Sequence, residues 1–342
     1  MKIRCFDKND FNALVQFNEK VFPLRDKIDE FIKYNFIENP FDSKAWNKLL
    51  IAVNEREEIE GQFLLLPSIF FFKGIKYPAF FGMDYIVDNI NKNSIIGSIL
   101  AKKAFKSENY ITVGLSDISL KIHRALKQKI IGDIIKYIRF TSIFSIFRFV
   151  FASQPKDVSS FSFPEIIKIS PGKFTRVFNA VEITAKDDFW NFDTMEFIRN
   201  EEFINWRFFH YPDKYFVYKY VSYSNIKTLK PTYFVVRPVI WKNVNCLLLV
   251  DYRYKFETDF HFDEILKASI QIMKKNNFAA LIAGCSIENN KRKFYRKLFF
   301  PYGAKMHIVS KFDLAAYETN TENIMLTFAD GDGDYYFGNK KW

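Results

Sequence analysis

The sequence predicts an α/β protein made of two tandem units, each a mostly antiparallel mixed sheet flanked by helices. Three observations predict it. The chain has 342 residues, of which 49% are hydrophobic, enough to bury two cores. Residues 81–117 read as strand, polar loop, helix and strand. Punctuating residues then recur at nearly one offset, 169 to 172 residues: Pro40 with Pro212, Pro67 with Pro238, Lys73-Gly74 with Lys242-Asn243, Gly114 with Gly284, and Gly132 with Gly303.

Taken in order, residues 2–6 read as a strand, and helices follow at 9–21 and 26–37, with Asp7 and Asn9 as caps. Asn39-Pro40 breaks the chain. Residues 49–54 and 61–72 alternate as strands, and Lys73-Gly74 turns a hairpin into the strand that ends with Phe81 to Asp88. After a loop without acidic residues, a helix opens at Ser94 and runs to about Lys106, with Ile96, Ile99, Leu100 and Ala104 on one face. A strand at 110–116 and a helix at 119–129 complete a first unit, 1–139. Residues 140–172, bearing Pro155, Pro164 and Pro171-Gly172, read as a linker to a second unit, 173–342.

Within that linker, Phe140 to Ala152 is too short to span a bilayer and contains Arg148. It fits a helix packed between the units, or a basic amphipathic helix touching a membrane with Arg139 and Arg148 as flanking charges.

A net charge of +11 favours anionic partners, yet no cluster of five or more Lys and Arg marks a nucleic-acid patch. Cys5, Cys246 and Cys285 have neither disulfide-framework nor metal-ligand spacing, which fits a reducing cytoplasm. The first residues carry no apolar signal region. The carboxylates of Asp330-Gly-Asp-Gly-Asp334 lack the remaining ligands of a calcium loop and read as a turn, so no metal is expected.

A strand feeding a loop and then a helix N-terminus makes an anion site, because unpaired backbone N–H groups and the positive end of the helix dipole face one point. Gly97 in the first turn lets an anion approach, and Lys92, Lys102 and Lys103 add charge. In the second unit the corresponding stretch, Phe256 to Glu264, carries four carboxylates that would repel a pyrophosphate. Ser94 and Ser116 also suit ordinary N-caps.

This order of elements resembles the acyl-CoA-dependent GNAT acetyltransferase superfamily, in tandem over nearly the whole chain. That superfamily carries a pyrophosphate loop Arg/Gln-x-x-Gly-x-Gly/Ala. Here Lys92, Asn93, Ser94, Ile95, Ile96 and Gly97 stand at its place, with Ile95 where the family has glycine. Its later Tyr-x-x-x-Gly-Phe element resembles Tyr295 to Phe300, with Phe299 replacing glycine, and the first unit's counterpart of Tyr295 falls near Arg124.

The resemblance implies that acetyl-CoA or another acyl-CoA sits between strands 81–88 and 110–116, contacted by Tyr85, Ile86, Val87, the 92–97 loop, Ser98 and Ser116. A backbone N–H of the first strand would polarise the thioester, and an acceptor amine would attack. Asp84, Asp88 and His123 are the candidates for proton transfer. Arg207, His210 and Tyr215 of the second unit are candidates for an anionic acceptor such as a nucleotide-linked amino sugar. A Fem-type aminoacyl-tRNA-dependent transferase and a non-catalytic binding module on the same fold are alternatives, and a homodimer stays open.

Overall fold

The computed structural model describes residues 1–23, 25, 27–41, 48–88, 95–107, 109–152, 161–210, 214–223, 230–256, 259–311 and 323–330. The first part of the chain forms β1 (Lys2–Cys5), α1 (Phe11–Val21), α2 (Ile28–Ile32), β2 (Leu49–Val53), β3 (Ile59–Phe72), β4 (Ile75–Val87), α3 (Ile96–Ser107), β5 (Tyr110–Val113), α4 (Asp117–Ala125) and β6 (Lys129–Phe140). Next come α5 (Ile143–Phe151), β7 (Ile166–Ile169), β8 (Gly172–Val177), β9 (Met195–Phe197), α6 (Glu201–Ile204), β10 (Phe216–Ser222), β11 (Tyr233–Trp241) and β12 (Val244–Arg253). The chain closes with α7 (Asp259–Lys275), β13 (Ala280–Cys285), α8 (Glu288–Arg296), β14 (Phe300–Pro301), β15 (Met306–Ser310) and β16 (Ile324–Met325). A π-helical turn extends α2 through Ile37, and another extends α6 through Phe209.

Both long hairpins turn as their residues require. Lys73 and Gly74 (φ 48° and 77°) join β3 to β4, and Lys242 and Asn243 (φ 47° and 60°) join β11 to β12. Two successive left-handed residues match the right-handed twist of the flanking strands. In both halves the second hairpin strand runs parallel to the strand after the next helix, β4 with β5 and β12 with β13.

One sheet runs through the molecule in the order β1-β2-β3-β4-β5-β15-β6-β13-β12-β11-β10-β8-β7. The halves exchange their last strands. β15 lies between β5 and β6, while β6 goes on to pair with β13. Residues 129–140, expected as a helix end and the start of a looser segment, are therefore a central strand. Residues 140–172, expected as a linker, include α5 and β7, and 153–160 lie outside the described residues.

Burial follows this layout. The largest apolar cluster joins both halves on one face, from Phe17, Phe36 and Phe81 to Phe197, Trp206 and Val235. On the opposite face α3 covers a small cluster with Phe63, Leu100 and Tyr110, and α7 and α8 cover another with Leu247, Phe262 and Phe294. Cys246 and Cys285 are buried apart from that small cluster, and burial pushes both thiols up to about 12, so neither is a ready nucleophile.

Candidate active site

The parallel ladder of β4 and β5 is short: Phe80, Gly82 and the residue between them face Tyr110, Ile111 and Thr112, and pairing stops there. Thr112 Oγ1 closes the ladder with a bond to the Gly82 carbonyl at 2.8 Å. Beyond it, the register of β4 on β3 shifts between Gln62 and Leu64. The bulge centres on Asp84, held at φ 46°, an uncommon conformation for a non-glycine residue that often marks a functional position. The bulge also changes the alternation of faces. Met83 packs into the large cluster, and Tyr85 and Val87 turn toward α3.

Around this opening, Phe63, Tyr85, Tyr110 and His123 form a ring cluster, with centroids of Phe63 and Tyr85 4.9 Å apart and of Tyr85 and His123 5.8 Å apart. His123, a candidate for proton transfer, is fully buried. Its Nδ1 meets Gln128 Oε1 at 2.8 Å, and Gln128 Nε2 donates to Tyr110 Oη at 2.6 Å. An amide oxygen only accepts, so Nδ1 carries the proton and Nε2 presents a lone pair. Desolvation lowers the His123 pKa and keeps the ring neutral. Among the described residues, neither His123 Nε2 nor Tyr85 Oη, both buried, has a hydrogen-bond partner. Burial raises the Tyr85 pKa, so its hydroxyl stays a donor.

The helix beside the cluster starts two residues later than expected. Ile95 caps it, its carbonyl accepting from Ile99 N at 3.0 Å, and the residue is 69% exposed. Gly97 leaves room for the Tyr85 hydroxyl, since a Cβ there would lie 2.9 Å from Tyr85 Oη and press on it. Ile96 packs beneath the helix and Ser98 faces solvent. Lys103 reaches the Ile3 carbonyl at 2.6 Å. Lys92, Asn93 and Ser94 lie outside the described residues. Ser116, exposed, accepts from Ser119 N at 3.3 Å as the N-cap of α4. Ile86 packs against the large cluster.

The carboxylates at and just after the end of β4 are both engaged. Asp84 takes two bonds from Arg25, at 2.7 and 2.9 Å, and Asp88 pairs with Lys20. Arg25 in turn lies over the rings of Phe22 and Phe31. Thus α1 and the segment after it grip the part of β4 that β5 has left. Neither partner was visible in the sequence, because nothing local ties Lys20 or Arg25 to a strand some sixty residues on.

In the second half the matching opening is filled by the chain itself. The ladder of β12 on β13 ends at Leu249 and Ala283. Past it, Ala329 N bonds the Val250 carbonyl at 3.1 Å, Ser286 Oγ donates to the Ile324 carbonyl at 2.6 Å and accepts from Leu326 N at 2.8 Å, and Phe328 lies on Gly284. Carboxylates were expected to bar a ligand from this half, but Glu257 lies outside the described residues, and the occupied opening is a sufficient reason.

A buried ionic network holds that segment. Asp251 accepts from Arg199 at 2.9 Å, Arg253 at 2.8 Å, Tyr233 at 2.9 Å and Thr327 at 2.7 Å, and Asp330 accepts from Arg199 at 2.7 Å. The two guanidiniums and these bonds draw the Asp251 pKa down to about 2 despite its burial. Residues 331–334, read as a turn, lie outside the described residues. Among the described residues no group of three metal-ligating side chains occurs.

The three expected acceptor residues do not share one surface. Arg207 is buried, its Nη1 on Tyr215 Oη at 2.7 Å and its Nε on the Ala329 carbonyl at 3.2 Å, and Tyr215 is buried with it. His210 sits at the surface, 3.1 Å from Glu38. A narrow cleft between the halves, with a cavity volume of about 10 Å³, is lined by Phe41, Leu66, Phe81, Trp206, Arg207 and Asp330 among others. Phe81 thus faces the cleft from the same strand whose bulge borders the opening.

No protein-family model matches the sequence, and comparison with the curated proteins finds no match. Solved structures do match. A GCN5-related N-acetyltransferase from Anabaena variabilis ATCC 29413 superposes with a TM-score of 0.58 at 9% identity, over 93% of this chain and 75% of that one. Saccharomyces cerevisiae N-myristoyltransferase, solved with bound myristoyl-CoA, gives 0.58 at 14% identity, over 95% and 84%. A GCN5-related N-acetyltransferase from Kribbella flavida gives 0.51 at 10% identity, over 90% and 70%. The chain has the GNAT fold, in a tandem arrangement consistent with that of N-myristoyltransferase.

Proposed function

We propose that this chain is an N-acyltransferase that takes its acyl group from an acyl-CoA held in the first half and passes it to an amine. The observation that carries the reading is the opening of β4 and β5 beyond Gly82 and Thr112, with Tyr85 Oη and His123 Nε2 buried and unsatisfied beside it. A buried polar group without a partner costs about 1 to 3 kcal/mol, so such a pair is expected where a ligand supplies the missing bonds. The pantetheine arm of CoA is a run of amides. An amide carbonyl suits the Tyr85 hydroxyl, and the N–H of an acceptor amine suits the His123 lone pair. The N-terminus of α3 suits the pyrophosphate. The yeast relative in fold binds a fatty acyl-CoA, which supports the donor class.

Bound there, acyl-CoA supplies an activated thioester carbonyl. Backbone N–H groups of β4 at the Asp84 bulge are the fixed dipoles that would stabilise charge on its oxygen. Asp84 positions that bulge through Arg25 rather than taking a proton, since both carboxylate oxygens are engaged. His123, neutral with Nε2 bare, is the group of the cluster able to accept the proton the amine loses.

A non-catalytic binding module is the second reading, favoured by the pairing of Asp84 and Asp88 with cations. Calorimetric titration of acetyl-CoA, myristoyl-CoA and free CoA into the full chain and into a Gly97→Trp variant tests the site. Micromolar binding lost in the variant supports it, and no binding to folded protein overturns it. Release of free thiol on adding amines separates catalysis from binding alone.

A further inference from the structure

Helix α5 is amphipathic in the wrong direction for a protein in water. A surface helix ordinarily turns its apolar stripe inward and polar residues out. Here Ser145 and Phe149 face the protein, while Ile143, Phe144, Ile146, Phe147, Val150 and Phe151 are exposed, Phe144 by 80% and Phe151 by 73%. At 100° per residue these six fall on one continuous arc, with Arg148 at its edge.

The helix is held firmly. Ser142 caps it, accepting from Ser145 N at 3.2 Å, Thr141 Oγ1 bonds the Phe278 carbonyl, and Asn243 Nδ2 donates to the Ala152 carbonyl at 3.1 Å. Phe149 packs edge-on against Phe140 and Trp241. The apolar surface then continues through Phe140 to Phe300, 5.7 Å away, and Leu298 beside it is 72% exposed.

Cations rim this surface. Arg148 is on the helix, and Lys242 lies 5.2 Å from the Phe149 ring centre. No carboxylate occurs from 134 to 152; across the patch, Asp263 lies 3.9 Å from Lys297. A second copy of the chain would bring these cations against themselves, on a molecule already at +11. An anionic surface that also accepts apolar side chains satisfies both features.

We propose that α5, with Leu298 and Phe300, docks flat on an anionic phospholipid bilayer, its apolar arc among the acyl chains and Arg148 and Lys242 at the head groups. A helix of nine residues lies in the interface rather than spanning it, as amphipathic anchors do. This surface lies outside the candidate acyl-CoA site and does not depend on it.

Co-sedimentation of the full chain with phosphatidylcholine vesicles, with and without a quarter of phosphatidylglycerol, tests the proposal. The chain is expected to pellet with the anionic vesicles and far less with the neutral ones, and added salt should release it. A Phe144→Asp, Phe151→Asp double variant should lower the bound fraction about ten-fold, and Arg148→Glu several-fold. All three positions are exposed, so the melting temperature should hold and report intact folding. Failure to bind anionic vesicles, or equal binding by the double variant, overturns the proposal. So does a concentration-dependent dimer, abolished by the double variant, in a protein that ignores vesicles.

Discussion

Tyr34 and Trp206 exchange hydrogen bonds: Tyr34 Oη donates to the Trp206 carbonyl at 3.1 Å, and Trp206 Nε1 donates to the Tyr34 carbonyl at 3.2 Å. Their rings stack at 4.6 Å. The two residues stand 172 apart, each in the π-helical turn that extends its half's short helix, so corresponding places of the halves meet face to face. Reciprocal contact of this kind is the signature of a two-fold interface, here within one chain.

Truncating Trp206 to alanine should therefore cost about 3 to 5 kcal/mol, the range for a buried large aromatic, whereas Tyr34→Phe should cost about 1 kcal/mol. Urea unfolding of the single and double variants should show a coupling energy of about 1 kcal/mol or more between the positions. Additive losses would mean the stack carries no shared energy.

The Asp251 network makes a prediction about acid. Its carboxyl titrates near 2 in the fold, below its ordinary value of 3.8. A lowered pKa means the unfolded chain binds the proton first, so the contribution is complete above about pH 5 and is lost as pH falls toward 2. Asp251→Asn should destabilise by about 3 kcal/mol at neutral pH, because two buried guanidiniums lose their shared charge. The stability gap between wild type and variant should then narrow by about 2 kcal/mol between pH 5 and pH 2, measured by denaturant titration.

At the opening of β4 and β5, stability and binding should separate. Tyr85→Phe removes a buried hydroxyl that has no partner among the described residues, so the free protein should become more stable by up to about 1 kcal/mol. Affinity for acyl-CoA should fall by about ten-fold if that hydroxyl serves the ligand. Thermal melts and calorimetry on one preparation check both arms.

The segment closing the second opening should loosen when its clamp is cut. Ser286→Ala removes bonds to Ile324 and Leu326 and should cost about 1 to 3 kcal/mol. Amide exchange across 324–330 should quicken more than exchange across β12 or β13.

Much of this was legible in the residues. Lys73-Gly74 and Lys242-Asn243 announced both hairpins, because glycine and asparagine, at the second place of each turn, are the residues that take left-handed backbone most readily. Tyr85, Gly97 and His123, named from the strand, the helix start and the next helix, come together at the opening. Strand β6 was not legible. Lys129 to Phe140 alternates poorly, and its partners β13 and β15 come more than a hundred residues later. Arg25, Lys20 and the 324–330 segment were hidden for the same reason: each owes its role to a contact that exists only once the sheet is assembled.

The exchange of β6 and β15 bears on how the molecule is made. When the first half leaves the ribosome, β5 has an open edge, and β6 has neither neighbour it will hold in the finished sheet. An unpaired edge is a template for wrong pairing. Synthesis must reach Ser310 before that edge closes, so the nascent first half depends on slow, late contacts for its protection. Expressed alone as residues 1–139, it should behave as an aggregating fragment and not as a domain.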